Sequence, residues 1–192
     1  MEEEVKKLDL MLEEMINFMN EVEKKHTPLS REVVFSAMII KKTIDILSVA
    51  KYCLSNYIIT VQISLLRLLC DNCLAIQSVL ELGLVKVMDL INNNERVSSI
   101  MIDDEQNMSD GYLKRKVSLS YPGFDRLYNF ACDGVHFSKQ ALCGAFNMSD
   151  DIKSNVSIGN KELVNEIISN NNSMVTLCRV ILSMLKNIKG LI

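Results

Sequence analysis

The chain has 192 residues, a formal net charge of -3, 48% hydrophobic and 23% charged residues. That length suits one domain, and the balance is that of a packed globular chain rather than a disordered or collagen-like one. Two prolines and seven glycines leave too little turn punctuation for an all-β fold, and the negative net charge argues against broad electrostatic binding of nucleic acid, so any such contact is local.

Residues 1–26 read as an amphipathic helix: Val5, Leu8, Leu12, Met15, Met19 and Val22 alternate in steps of three and four, flanked by Met11 and Phe18. Lys24 and Lys25 suit its carboxyl end, His26 reads as a helix-end contact, and Thr27-Pro28 reads as the cap and first residue of helix two. Helix two is expected to reach about Ser55, with Val33, Met38, Ile40, Ile44, Leu47 and Ala50 apolar. A turn at Ser55-Asn56 leads to a long central helix from Ile58 to about Ile91, apolar on most of its circumference, with Gly83 as a candidate kink or interruption.

Residues 92–123 lose the helical period and read as a long irregular connection, in part helical. Helix four is expected from Phe124, with Gly134 as a candidate bend. A polar stretch from Asn147 to Asn160 precedes the last helix, Lys161 to Lys189, which Asn170-Asn171-Asn172 is expected to split. The expectation is an all-α, single-domain helical bundle of four to five helices over residues 1–192, without strands or internal repeats.

The acidic start MEEEVKKLDL is unlike a signal peptide, and the uncharged run Tyr52–Leu66, fifteen residues, is too short and too polar to span a membrane. A cytoplasmic protein without membrane contact is expected. Six cysteines, Cys53, Cys70, Cys73, Cys132, Cys143 and Cys178, lie in apolar helical stretches and read as buried free thiols. Cys70 and Cys73 have the spacing of a zinc pair but lack further ligands, so no metal and no other cofactor is expected.

Polar residues that intrude on apolar helices are the candidates for chemistry. Arg67 and Asp71 stand four apart on one helix face, and such charges either anchor a buried structural pair or line a cleft. Asn129, Asp133 and His136 fall within about 60° of one another on a helix, so Asp133 is placed to fix the tautomer of His136; the alternative is a hydrogen-bonded core histidine. Lys114-Arg115-Lys116 reads as solvated surface or as a polyanion contact. The chain has no glycine-rich phosphate loop, nucleophile elbow or His-Glu-x-x-His helix, which sets aside nucleotide hydrolysis and zinc proteolysis.

The run Leu65-Leu66-Arg67-Leu68-Leu69-Cys70-Asp71-Asn72, followed on a later helix by Tyr128, Cys132, Val135-His136 and Ser138, resembles the HEPN superfamily of helical bundles over about Val33 to Ala145. The resemblance implies a metal-independent endoribonuclease or RNA-binding effector of a bacterial toxin, abortive-infection or antiphage system. It implies His136 as general base or acid at the ribose 2′-hydroxyl or leaving oxygen, Arg67 as the cation for a phosphorane-like transition state and Asp71 as its orienting partner. Tyr128, Asn129, Asp133 and Ser138 would support the site, and Lys114, Arg115, Lys116 and Arg126 would contact RNA. The superfamily's nuclease motif sets Arg and His closer than the nine residues that separate Arg126 from His136, and that motif is not matched. Sites in the superfamily commonly form across a dimer, so a homodimer or a complex with a defence or antitoxin partner is expected. The other reading is a non-catalytic helical interaction or oligomerisation subunit, whose polar network only fixes packing.

Overall fold

Helix α1, Glu2–Lys25, opens on Glu2, Glu3 and Glu4 and closes on Lys24 and Lys25, charges that suit the two ends of its dipole. Its buried line is Leu8, Met11, Met15, Phe18 and Val22, while Val5, Leu12 and Met19 lie half-buried at the margin. Burying each such side chain is worth roughly 1.5–3 kcal/mol before conformational entropy. The structure is a computed structural model, and it describes residues 2–102, 106–135 and 161–191.

The start of α2, Arg31–Asn56, corrects the expected cap. Thr27-Pro28-Leu29-Ser30 is a turn in which Ser30 N donates to Thr27 O at 3.0 Å, and Ser30 Oγ then caps the helix by accepting from Val33 N at 3.3 Å. Pro28 fixes the turn, and the serine two residues later satisfies a free amide of the first helical turn. Lys51 near the end of α2 pairs with Asp9 near the start of α1, so the two helices run antiparallel. Tyr57, at φ 58°, turns the chain into α3, Ile59–Leu82.

The expected helix to Ile91 divides at Gly83, whose φ of 85° and ψ of 148° end α3 and begin α4, Leu84–Asn92. The connection is also less irregular than its sequence suggests. It carries a 3-10 turn, Val97–Ser99, a β-bridge between Met101 and Asn107, and a helix, α5, Asp110–Ser120. Ser109 caps α5 by accepting from Tyr112 N at 3.4 Å. Only Leu113 and Val117 of α5 are buried, one apolar contact per turn, which is too sparse to register as a period.

Helix α6, Phe124–Val135, starts where expected, directly after Pro122-Gly123. Helix α7, Lys161–Lys186, is continuous through Asn170-Asn171-Asn172 and is not split there. Asn171 is fully buried, and its amide donates to the backbone oxygen of Glu4 at 3.2 Å and to Glu4 Oε2 at 2.9 Å. Lys7 pairs with the same carboxylate, so the polar run is absorbed by a contact with α1. His26 Nε2–H donates to Leu191 O at 3.0 Å, at the other end of α1. With Glu4 beside Asn171 and His26 beside Leu191, α1 and α7 run in the same direction.

The described residues thus form an all-α bundle of seven α-helices, more than the four or five expected, and contain no strand. Helix α3 is its centre, packed against α2, α4, α5, α6 and α7. Its buried line, Leu66, Leu69, Cys73 and Ile76, meets Phe35 and Leu47 of α2 and Met174, Cys178 and Ile181 of α7 in one core. Among the described residues α3 alone is long and apolar enough to cross a membrane, and half of its most apolar stretch is buried in the bundle.

Candidate functional site

Arg67 lies on the flank of α3 that faces α5 and α6, with 19% of its side chain exposed. One guanidinium nitrogen pairs with Asp71, one turn further along α3. The other, Nη2, donates to Tyr128 Oη at 2.8 Å and stands 3.6 Å from Asp110 Oδ2. The Tyr128 hydroxyl donates in turn to Asp110 Oδ2 at 3.3 Å. The guanidinium also lies 4.3 Å from the centroid of the Tyr128 ring, a cation–π contact that the half-buried surroundings strengthen.

Lys114, one turn along α5 from Asp110, places Nζ 5.3 Å from the same ring and donates to Asn129 Oδ1 at 2.9 Å. Two cations from different helices therefore converge on one tyrosine. Burial pushes the Tyr128 hydroxyl well above the ordinary phenol range; the charge of Arg67 opposes this and that of Asp110 adds to it. The phenol accordingly stays protonated and keeps its hydrogen for an oxygen acceptor. Lys42 of α2 is held below the ordinary lysine range, first by partial burial and then by the charge of Arg67.

Of the residues singled out from the sequence, the fold brings together Arg67, Asp71, Tyr128, Asn129 and Lys114. Arg126 and Asp133 are exposed on α6. Lys114, Arg115 and Lys116 do not share one face: Arg115 is exposed, and Lys116 pairs with Glu81 at 3.5 Å and approaches the Tyr112 ring at 5.3 Å. The Tyr112 hydroxyl donates to Glu81 at 2.9 Å, which ties α5 to α3 on that side. His136 and Ser138 lie outside the described residues, as does Cys143.

The sequence did not point to Asp110 or Lys42. Asp110 follows Ser109, a cap signal that would have marked the start of α5, but its approach to Arg67 joins distant parts of the chain. The described cysteines are free: Cys53, Cys70, Cys73 and Cys178 are buried and Cys132 half-buried. Burial pushes the Cys70 thiol up to about 12, against the pull of Arg67, which favours the protonated thiol over the thiolate. Among the described residues no three of His, Cys, Asp or Glu are grouped to hold a metal ion.

Chemically, the cluster brings a guanidinium and a protonated phenol against the carboxylate of Asp110, with the Lys114 ammonium near the same ring and Asp71 fixing the guanidinium. Such donors suit a tetrahedral oxyanion next to an aromatic base. Comparison with protein-family models, with curated proteins and with solved structures yields no match to this chain.

Proposed function

We propose that this chain is a HEPN-like, cytoplasmic RNA-binding bundle that cuts RNA without a metal, in a bacterial toxin or antiphage setting, as a homodimer or with a partner protein. The observation that carries the reading is the convergence of Arg67 and Lys114 on the Tyr128 ring, with Asp71 and Asp110 as the carboxylate partners of Arg67. A phosphodiester would take its hydrogen bonds from Arg67 Nη2 and the Tyr128 hydroxyl, while Lys114 adds charge from the solvent side. In the cut, the ribose 2′-hydroxyl loses its proton and attacks the adjacent phosphorus as the 5′-oxygen leaves with a proton. The products are a 2′,3′-cyclic phosphate and a 5′-hydroxyl. Arg67 would neutralise charge on the phosphorane oxygens, and the resemblance assigns the proton transfer to His136.

The test uses the purified protein and a fluorescein-labelled oligouridine, with Arg67→Ala, Tyr128→Phe and His136→Ala beside the wild type and a thermal melt of each. The wild type is expected to bind and to leave cyclic phosphate ends. Arg67→Ala is expected to lose roughly tenfold or more in binding and cleavage. His136→Ala should bind and not cut. Intact RNA and equal binding across natively folded variants would defeat the reading.

A second reading, a non-catalytic interaction subunit, draws on exposed apolar side chains: Val49 and Tyr52 on α2, Val61 and Leu68 on α3. A folded wild type that leaves RNA intact and sediments as an oligomer would favour it.

A further inference from the structure

Asp110 is the outermost member of the Arg67 cluster and the most loosely held. Its carboxylate is 3.6 Å from Arg67 Nη2, beyond hydrogen-bond distance, and 64% of its side chain is open to solvent. The Tyr128 hydroxyl reaches it at 3.3 Å, a long contact for an O–H donor to a carboxylate. Asp71 is held differently: it sits on the same helix as Arg67, one turn away, and covers the opposite guanidinium nitrogen. So exposed and loose a pair adds little to folding stability. Its position is informative instead, because the two donors facing Asp110 are the two that an incoming phosphate oxygen would need. The Asp110 side chain can swing away without disturbing α5, since the helix is capped by Ser109 and anchored by Leu113 and Val117.

We infer that Asp110 is an internal anion that occupies the phosphate position between Arg67 and Tyr128, and that an RNA phosphodiester binds by displacing it. This rests on the reading of the cluster as an RNA site. Its energetic content is a competition: while the carboxylate holds the donors, only the fraction of molecules with Asp110 turned away is competent, and the apparent affinity is lowered by that fraction. Asp110 then also discriminates between ligands, because a diester must contribute two good hydrogen bonds to displace it, whereas a diffuse polyanion contact does not reach the donors.

Asp110→Asn removes the charge and retains an acceptor for Tyr128. Asp125→Asn removes an equal charge from an exposed position nearby on α6 and controls for the general effect of charge on RNA affinity. Anisotropy titrations of fluorescein-labelled oligouridine are made with the wild type, Asp110→Asn, Asp125→Asn, Arg67→Ala and the Arg67→Ala/Asp110→Asn double variant, each checked by its melt. Asp110→Asn is expected to tighten binding by roughly fivefold, Asp125→Asn by less than about twofold, and the gain is expected to vanish when Arg67 is absent. A gain equal to that of Asp125→Asn, a gain that persists without Arg67, or weaker binding by Asp110→Asn overturns the displacement inference while leaving RNA binding in place. Absence of binding by both the wild type and Asp110→Asn overturns the RNA reading and this inference together.

Discussion

A leucine at positive φ is uncommon because its Cβ crowds the backbone there. Leu29 has φ 65° and is 86% exposed, so no burial offsets that strain. The turn it occupies requires this backbone, and asparagine adopts it more readily. Leu29→Asn is therefore expected to stabilise the protein by about 0.5–1 kcal/mol, read as a higher urea midpoint with an unchanged slope. At the same scale, Arg67 and Asp71 are legible in the sequence because their spacing on one helix already makes them neighbours. Tyr128 is legible as a member of a motif, although its contact with Arg67 is not. Asp110 is hidden, since nothing local distinguishes an exposed aspartate at a helix start from one that faces an arginine on another helix.

Between elements, α6 approaches α3 closely at Gly134, where a Cβ would collide with the branched side chain of Ile63. Alanine is the better helix former, yet Gly134→Ala is expected to cost about 1–3 kcal/mol because the β-branched Ile63 side chain, or the helix itself, must shift to admit the methyl group. Adding Ile63→Ala should recover part of that loss, so that in urea melts the double variant costs less than the sum of the two single changes. The contact between α1 and α7 is expected to respond to pH through Glu4. Burial works to raise the Glu4 pKa, but hydrogen bonds from Lys7 and Asn171 outweigh it, and the net shift is downward from the ordinary 4.5. The folded state thus prefers the ionised group. Its contribution is present in full above pH 4.5 and fades as the pH falls through the lower folded value. Against Glu4→Gln, the wild type is expected to hold an advantage of about 1–2 kcal/mol at neutral pH that closes in acid, followed as melting temperature against pH. The amphipathic period exposed α1, α2, α3, α6 and α7 in the sequence, because each buries a broad apolar face. It missed α5, which buries two side chains, and it runs on through Gly83, since α4 keeps the apolar character of α3; the glycine itself is what marks that interruption in the sequence.

For the whole molecule, the sequence makes the all-helical class and the central place of α3 legible, because α3 is apolar around most of its surface. The order in space was not legible: α6 lies antiparallel to α3, with Tyr128 at Arg67 and Gly134 at Ile63, and that pairing depends on shape complementarity between distant segments. It is also what assembles the candidate site, since Arg67, Asp110, Lys114 and Tyr128 come from three helices. The same-direction packing of α1 and α7 has a kinetic side. Parallel neighbours cannot be joined by a short hairpin, and the contacts Glu4–Asn171 and His26–Leu191 each span 165 or more positions of sequence. Such closures raise the contact order above that of an up-and-down bundle, so folding should be slow for a helical protein, with the α1–α3 hairpins forming ahead of the docking of α7.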